Sequence, residues 1–500
     1  MIERLARGNG AVYLLLAAYF TVNVILRLLM PASLELDEGQ QIFLAQWFAL
    51  GYDTQPPFYN WVQYGVVQLL GSTVLAVSVL KNLMLFCSYL FYGLTASLVI
   101  RDRVLAVIAT LGLITIPQIG FEAQRDLTHT VAVLLAACMF MYFFVAALQR
   151  PTALNYALAG LAIGIGVISK YNFVLLPGAA VAAAMADRDL RARLFDPRVL
   201  LTALVAAAVV APHALWFADH VGEATTRTMG KLTEDADGGR LKLIGEGLVS
   251  LAGAAAAFAL PTLLLFWIAF GKELFAAWKA ESRWTRLIGR MFIIFAMFLV
   301  LVVLGGASNI KDRWLVPILF LLPLYLCAKL EASGASYEGA ARRFGMIVLA
   351  IMAAVPLVLL ARAPLGGMLG RYEKQNVPYG PAIAQILSSN RDRPAVVLTG
   401  DQQMAGNLRL HAGDVLVMVP DYDSLAEPYM IDATHPVLVT WRERGEAVPD
   451  MPEELTAWLD ARHQLDGAAS TVQEAALPYH YGREGDVYRF SYAWIYPAAK

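Results

Sequence analysis

LELDEGQQIFLAQWFALGYDTQPPFYNWVQYGVVQLLG, residues 34–71, decides how the rest of the chain is read. It carries Glu35, Asp37, Glu38 and Asp53, and no Lys or Arg. Apolar and aromatic residues recur at helical spacing over 38–50 and 58–70, which predicts two amphipathic helices lying at a membrane interface. The break between them is GYDTQPP, where Pro56 and Pro57 end one helix and begin the next. On either side stand apolar runs, 11–30 and 73–99. Each reaches the roughly 20 residues that a bilayer crossing needs. The acidic, aromatic stretch is therefore read as a loop between two membrane spans.

Further apolar runs lie near 104–118, 127–148, 153–169, 171–186, 199–217, 246–271, 289–306, 314–329 and 344–363, making about eleven spans in all. The halves on either side of Lys170 are short. Composition agrees: of 500 residues, 58% are hydrophobic and only 16% charged, and mean hydropathy is +0.55. A soluble domain is nearer half apolar and a quarter charged, so a soluble enzyme and a disordered chain are both excluded. The net charge of -1 gives no electrostatic reason to expect a nucleic-acid partner. The first run is read as an uncleaved anchor, because no small-residue cleavage site precedes Glu35. Basic residues such as Arg188, Arg191, Arg193, Arg198, Arg283, Arg286 and Arg290 gather on one side of the spans. By the positive-inside rule that side is cytoplasmic, which puts the 31–72 loop and residues 364–500 outside.

Residues 364–500 read differently from the membrane part, 1–363. PAVVLTG, DVLVMVP and HPVLVTW are short, β-branched and bounded by turn residues, which predicts buried strands. Segments 379–390 and 452–466 are expected to be helical between them, giving a small α/β domain. Cys87, Cys138 and Cys327 all lie in apolar runs, so no disulfide framework is expected. The alanine-rich stretches 204–211 and 252–259 suit close helix packing.

A carboxylate pair at the start of a helix just outside a span is chemically suggestive. A helix N-terminus attracts and orients a carboxylate such as Asp37, and such a group can take a proton from a hydroxyl nucleophile. The alternative is that Asp37 merely caps the helix. The surrounding pattern resembles the first outer loop of bacterial GT-C glycosyltransferases of the protein O-mannosyltransferase-like group, which includes the lipid A aminoarabinose and rhizobial lipid A galacturonosyl transferases. The matching residues are Asp37 and Glu38, then Leu50, Gly51, Tyr52, Pro56 and Pro57. GIGVISKYNFVLLP matches at Ser169, Lys170 and Tyr171, QRDLTHTVAVLL at Asp126, and KDRWLVPILFLLP more weakly. The resemblance spans about 1–330. It implies a GT-C fold with a C-terminal periplasmic α/β domain, and a polyprenyl-phosphate sugar as donor. It further implies Asp37 as the base toward an acceptor hydroxyl, with inversion at the sugar and loss of lipid phosphate. It places the chain in a bacterial inner membrane, with lipid A or another envelope glycan as acceptor. One departure is Gln55, where many relatives carry Lys or His before the two prolines.

A leaving phosphate needs a cation where negative charge grows. Lys81 lies inside the second span and either meets that phosphate or snorkels to the interface. Lys170, between two half-length spans, and Arg313, beside Trp314, are further candidates. Arg125 and Asp126 stand together; Asp126 carries the family match as a structural or acceptor-orienting carboxylate. His213, after Pro212, is read as a phosphate or acceptor contact or as a buried histidine. Loop 218–245, with Glu223, Arg227, Lys231 and Arg240, is either a cover over the site or a solvated connector. Asp37, Glu38 and Asp126 are of the type that binds a hard cation. No metal is expected, since no histidine pair or cysteine cluster is present and the resemblance does not require one. No nucleotide fingerprint appears either, so no cofactor is expected. The competing functions are a transporter, suggested by the intramembrane charges, and a non-catalytic envelope protein.

Overall fold

The computed structural model describes residues 1–8, 10–52, 55–222, 239–425, 436–442, 450–461 and 471–496. Among them, eight helices are long and apolar enough to cross a membrane: Ala11–Leu29, Val74–Val99, Thr128–Gln149, Val199–Asp219, Arg240–Phe270, Arg283–Leu304, Asp312–Ser333 and Gly339–Leu369. A ninth is formed if Arg103–Thr115 and Gln118–Arg125, bent by 71° at their junction, count as one. Ala153–Val167 and Tyr171–Met185 are shorter apolar helices. All the apolar runs are thus helical, though not every one is a single unbroken helix. Pro117 and a π-helical turn over Gln118–Glu122 break one run. The chain is non-helical at Ser169 and Lys170, which leaves two half-length pieces.

The chain packs as two compact units. One holds Met1–Val22, Asp53–Tyr59 and Lys81–Val355; the other holds Asn23–Tyr52, Asn60–Leu80 and Pro356–Lys500. In the first, helical unit, glycine sets the closest approach of two helices. A Cβ on Gly160 would stand 2.4 Å from the Thr202 carbonyl oxygen, and one on Gly164 would stand 2.6 Å from Val209. Small residues allow this backbone proximity where lipid gives no hydrophobic drive to associate.

The second unit is built on a five-stranded sheet of order β2-β1-β3-β5-β4. The strands are β1 (Val396–Leu398), β2 (Leu416–Met418), β3 (Val437–Trp441), β4 (Gln473–Pro478) and β5 (Val487–Ile495). β1 pairs parallel with β2 and β3, while β5 pairs antiparallel with β3 and β4. Side chains alternate across a strand, and both faces are covered. Val397, Val417, Leu438 and Phe490 face one core, with Ile383 and Leu408. Val396, Met418, Val439 and Ile495 face the other, with Leu455 and Leu459. The three expected strands are β1, β2 and β3. The expected helices are Tyr379–Ser388 and Glu453–Asp460; the end of the second expected segment, 462–466, lies outside the described residues. The Gln402–His411 helix, β4 and β5 were not expected.

The acidic loop departs from its sequence reading in one important respect. Phe58–Leu70 is helical as expected. The first helix, Leu36–Leu44, is buried on more than one face. Gly39, Gln41, Ile42, Phe43 and Leu44 are all buried. Phe43 and Leu44 belong to the same core as Val397 and Phe490, and Ile42 packs with Val67 and Val77. The helix stops at Leu44 rather than running to 50, and Gln46 just beyond it is engaged with the sheet. Its side-chain amide accepts from Val417 N–H at 3.0 Å and donates to Val417 C=O at 3.0 Å. The side chain thus pairs with β2 as a neighbouring strand would.

Candidate active site

In the sheet-bearing unit, the acidic pair is held by its own surroundings. Glu35, with extended backbone (φ −69°, ψ 174°), takes the N-cap position of Leu36–Leu44. Asp37 therefore is not the cap; it stands half-buried in the first turn. Glu38 is 1% exposed. Arg27 donates to it twice, Nη2 to Oε2 at 2.8 Å and Nε to Oε1 at 3.3 Å, and Glu35 N–H donates to Oε2 at 3.2 Å. The same guanidinium donates to the carbonyls of Pro31 and Ser33, each at 3.1 Å. One arginine near the end of the first span thus fixes both the turn into the helix and its third residue. Arg362 pairs with Glu35 at 3.6 Å and with Glu373 at 2.6 Å. Tyr52 is buried, its hydroxyl donating to Trp47 C=O at 2.7 Å and accepting from Ala49 N–H at 2.9 Å. Burial pushes its phenol up to about 12. It is a neutral brace for the segment between the two loop helices.

In the helical unit, several sequence-selected residues come together at chain breaks. Arg125 and Asp126 end a distorted segment that begins with the π-helical turn, and Leu127 follows with φ +51°. A left-handed leucine and a π turn are both costly local choices that collect at functional sites. Asp126 is buried, while Arg125 pairs with Glu122 at 3.1 Å. Beyond Leu127 the Thr128–Gln149 helix opens, and Lys170 Nζ donates to Thr130 Oγ1 at 3.2 Å. Phe58 N–H donates to Ile168 C=O at 2.9 Å, so the residue after the Pro56-Pro57 turn meets the break around Lys170. Tyr59 packs beside His129, with ring centroids 5.9 Å apart.

Tyr171 and His213 form a stacked pair, with the hydroxyl 3.0 Å from Nε2. His213 is buried and also stacks on Trp216. Asn172 Nδ2 donates to Trp314 C=O at 2.9 Å, and Gln118 Nε2 donates to Asp312 Oδ2 at 2.6 Å. The segment bearing Arg313 is thereby tied both to the Tyr171 turn and to the π-helical turn; Arg313 itself is exposed. Lys81 is 2% exposed, on Val74–Val99, beside buried Asn82. Gln55 is half-buried just before the two prolines. Of the 218–245 loop, Glu223, Arg227 and Lys231 lie outside the described residues; Arg240 begins a helix. No cluster of three or more His, Cys, Asp or Glu suited to a metal occurs among the described residues.

Sequence reasoning missed Arg27, Gln403, Asn407 and Arg442. A cation inside the apolar run 11–30 was the available signal for the first. The other three lie in a polar segment with no periodic pattern.

Residues 54–216 match the family described as dolichyl-phosphate-mannose-protein mannosyltransferase. Along its whole length the chain is similar to two proteins of Rhizobium johnstonii. It is 45% identical over 496 residues to lipopolysaccharide core galacturonosyltransferase RgtB, covering 99% of each chain. It is 39% identical over 504 residues to lipopolysaccharide core galacturonosyltransferase RgtA, covering 100% of each. The fold resembles the crystal structure of ArnT from Cupriavidus metallidurans in the apo state, with TM-score 0.57 and 14% identity over 96% of this chain and 97% of that one. The chain therefore belongs to the family of these rhizobial transferases and is a multi-pass membrane glycosyltransferase of the GT-C superfamily.

Proposed function

We propose that the chain transfers a galacturonosyl residue from a polyprenyl-phosphate donor to a hydroxyl of the lipopolysaccharide core or lipid A. The carrying observation is similarity over nearly the full length to two transferases named for that sugar and that acceptor. The site is assigned to the periplasmic face of the inner membrane, where a lipid-linked donor serves in place of a nucleotide sugar. Residues 1–363 form the catalytic membrane part in this reading, and 364–500 the periplasmic α/β part.

Asp37 acts as the general base. It takes the acceptor hydroxyl proton as that oxygen attacks C1 of the sugar. The C1–O bond to phosphate breaks, the configuration inverts, and polyprenyl phosphate leaves. The geometry is compatible with this division of labour: Glu35 occupies the cap position, Glu38 is bound to Arg27, and Asp37 stands half-buried in the first turn. Glu38 orients the helix. Lys81, Lys170 and Arg313 are the cations assigned to the leaving phosphate. Asp126, Arg125, Tyr171 and His213 are assigned to the acceptor or donor head group, and Gln55 and Tyr52 to substrate binding. A transporter would not need the acidic first turn, and the relatives reported above are transferases.

The test is mass spectrometry of core and lipid A from a strain lacking the gene, complemented with wild type or Asp37→Asn. The deletion is expected to lose one hexuronic acid mass, restored by wild type and not by the variant. Restoration by Asp37→Asn at normal abundance would remove Asp37 from the chemistry.

A further inference from the structure

The Gln402–His411 helix is buried all round over Gln403, Met404, Ala405, Gly406, Asn407 and Leu408, with Gln403 and Asn407 one turn apart on the same face. Two amides on that face hold the backbone of Leu34, three residues before Asp37. Gln403 Nε2 donates to Leu34 C=O at 2.8 Å, and Leu34 N–H donates to Asn407 Oδ1 at 3.0 Å. The direction of each amide is dictated by a further partner. Arg442 Nη2 donates to Gln403 Oε1 at 3.0 Å. A guanidinium has no acceptor, so Gln403 must turn its oxygen to Arg442 and its NH2 to Leu34. Asn407 Nδ2 donates to the Gln403 carbonyl at 2.8 Å, which leaves Oδ1 for Leu34.

Arg442 is itself fixed. It pairs with Asp401 through Nε and Nη2, each at 3.2 Å, donates to the Tyr488 hydroxyl at 2.9 Å, and stacks over Tyr379 at 5.4 Å. Asp401 also caps the helix, accepting from Met404 N–H at 2.7 Å. Along the same contact, Gly39 and Gly406 bring the two helices together without side chains. Every adjustable group between Arg442 and Leu34 therefore has one orientation available.

We infer that Gln403, Asn407 and Arg442 are positioning residues that set where the Asp37 carboxylate stands; the inference rests on Asp37 acting as the base. None of the three touches the reacting atoms. They act through the entry to the Leu36–Leu44 helix. Misplacing a catalytic group by about 1 Å costs on the order of 100-fold in rate. The role thus gives the polar C-terminal part a share in the chemistry, carried by an amide relay from β3 to the acidic loop.

The experiment uses the full chain in membranes with polyprenyl-phosphate galacturonic acid and core lipopolysaccharide from the deletion strain. Turnover is normalised to folded protein, and backbone hydrogen exchange is followed in parallel. Asn407→Leu is expected to lower kcat by about 30- to 100-fold with KM within about twofold. Exchange should rise over residues 34–39 and not across the sheet. Unchanged kcat with faster exchange at 34–39 would overturn the inference, as would loss of protection across the whole sheet. If Asn407→Leu does not fold, Gln403→Met, which removes both amide bonds at similar volume, decides by the same readouts. Failure of the underlying reading looks different: Asp37→Asn then keeps its turnover, whatever the exchange at 34–39 does.

Discussion

Gly406→Ala should be among the most damaging single methyl additions in the sheet-bearing unit. A Cβ there would lie 2.1 Å from the Gly39 carbonyl oxygen, 2.4 Å from Gly39 Cα and 2.5 Å from Gly39 C. All three are backbone atoms of the helix that carries Asp37, so no rotamer change relieves the clash. Ordinary contact begins near 3.4 Å, so the two helices must separate by about 1.3 Å. Overpacking of this kind costs about 1–3 kcal/mol. A shift of about 1 Å at the base costs on the order of 100-fold in kcat. Gly39→Ala is milder, since its Cβ meets Gln403 Cα at 2.9 Å and needs a shift of about 0.5 Å. Gly65→Ala is the control: nothing lies within 4 Å of that Cβ, and a helix-interior glycine replaced by alanine gains about 0.5–1 kcal/mol. The assay is galacturonosyl transfer in membranes together with thermal unfolding of the purified chain. The expected order of activity is Gly65→Ala, then Gly39→Ala, then Gly406→Ala. Wild-type turnover and unfolding temperature in Gly406→Ala would refute the reasoning.

Two other perturbations follow from the same unit. Arg27→Met leaves Glu38, 1% exposed, without this cation; removing one member of a buried pair costs about 3–5 kcal/mol. Thermal unfolding should show that loss, and Arg27→Met combined with Glu38→Met should recover most of it; equal instability of the double variant would count against the pairing. Burial pushes His411 and His480 below the ordinary histidine value, and His480 lowers His411 further. Unfolded histidine takes its proton near 6.5, before the folded groups do. Their stabilisation is therefore full above that pH and is lost as pH falls toward the folded values. The unfolding temperature should drop as pH falls below about 6.5, and drop less in His411→Gln; parallel curves for the two proteins would show that His411 does not carry the effect.

Much of this architecture was legible because the membrane imposes its own grammar. Apolar runs, the short halves around Lys170, and the short strands β1 to β3 all announce themselves by composition; the break at Pro117 was passed over. What stayed hidden is instructive. The Gln402–His411 helix buries two amides and a glycine among Met404, Ala405 and Leu408, so its apolar period is too short and interrupted to stand out. β4 buries only Ala475. β5 was readable and overlooked: Tyr488, Phe490, Tyr492 and Trp494 alternate, and all four enter one core. The acidic loop was recognised as special, but not as a piece of the C-terminal fold. Its apolar residues look the same whether they meet lipid or the sheet core, and only Phe43 and Leu44 among Val397, Val417 and Phe490 decide the matter.

The pairing of Gln46 with Val417 has a consequence for how the chain is made. β2 is the edge of the sheet, and an open edge invites another strand. Here the guard is a side chain synthesised 371 residues earlier. At about 5–20 residues per second, the ribosome takes roughly 20 to 70 s to deliver β2 after Gln46 has emerged. A helix of nine residues is too short to persist alone. The bonds of Gln46 to β2 can therefore form only after the intervening spans have been synthesised. The acidic helix meets Arg27 and the cluster of Val67 and Val77 from its own neighbourhood, whereas its sheet contacts through Phe43, Leu44 and Gln46 can form only once the C-terminal strands have been made.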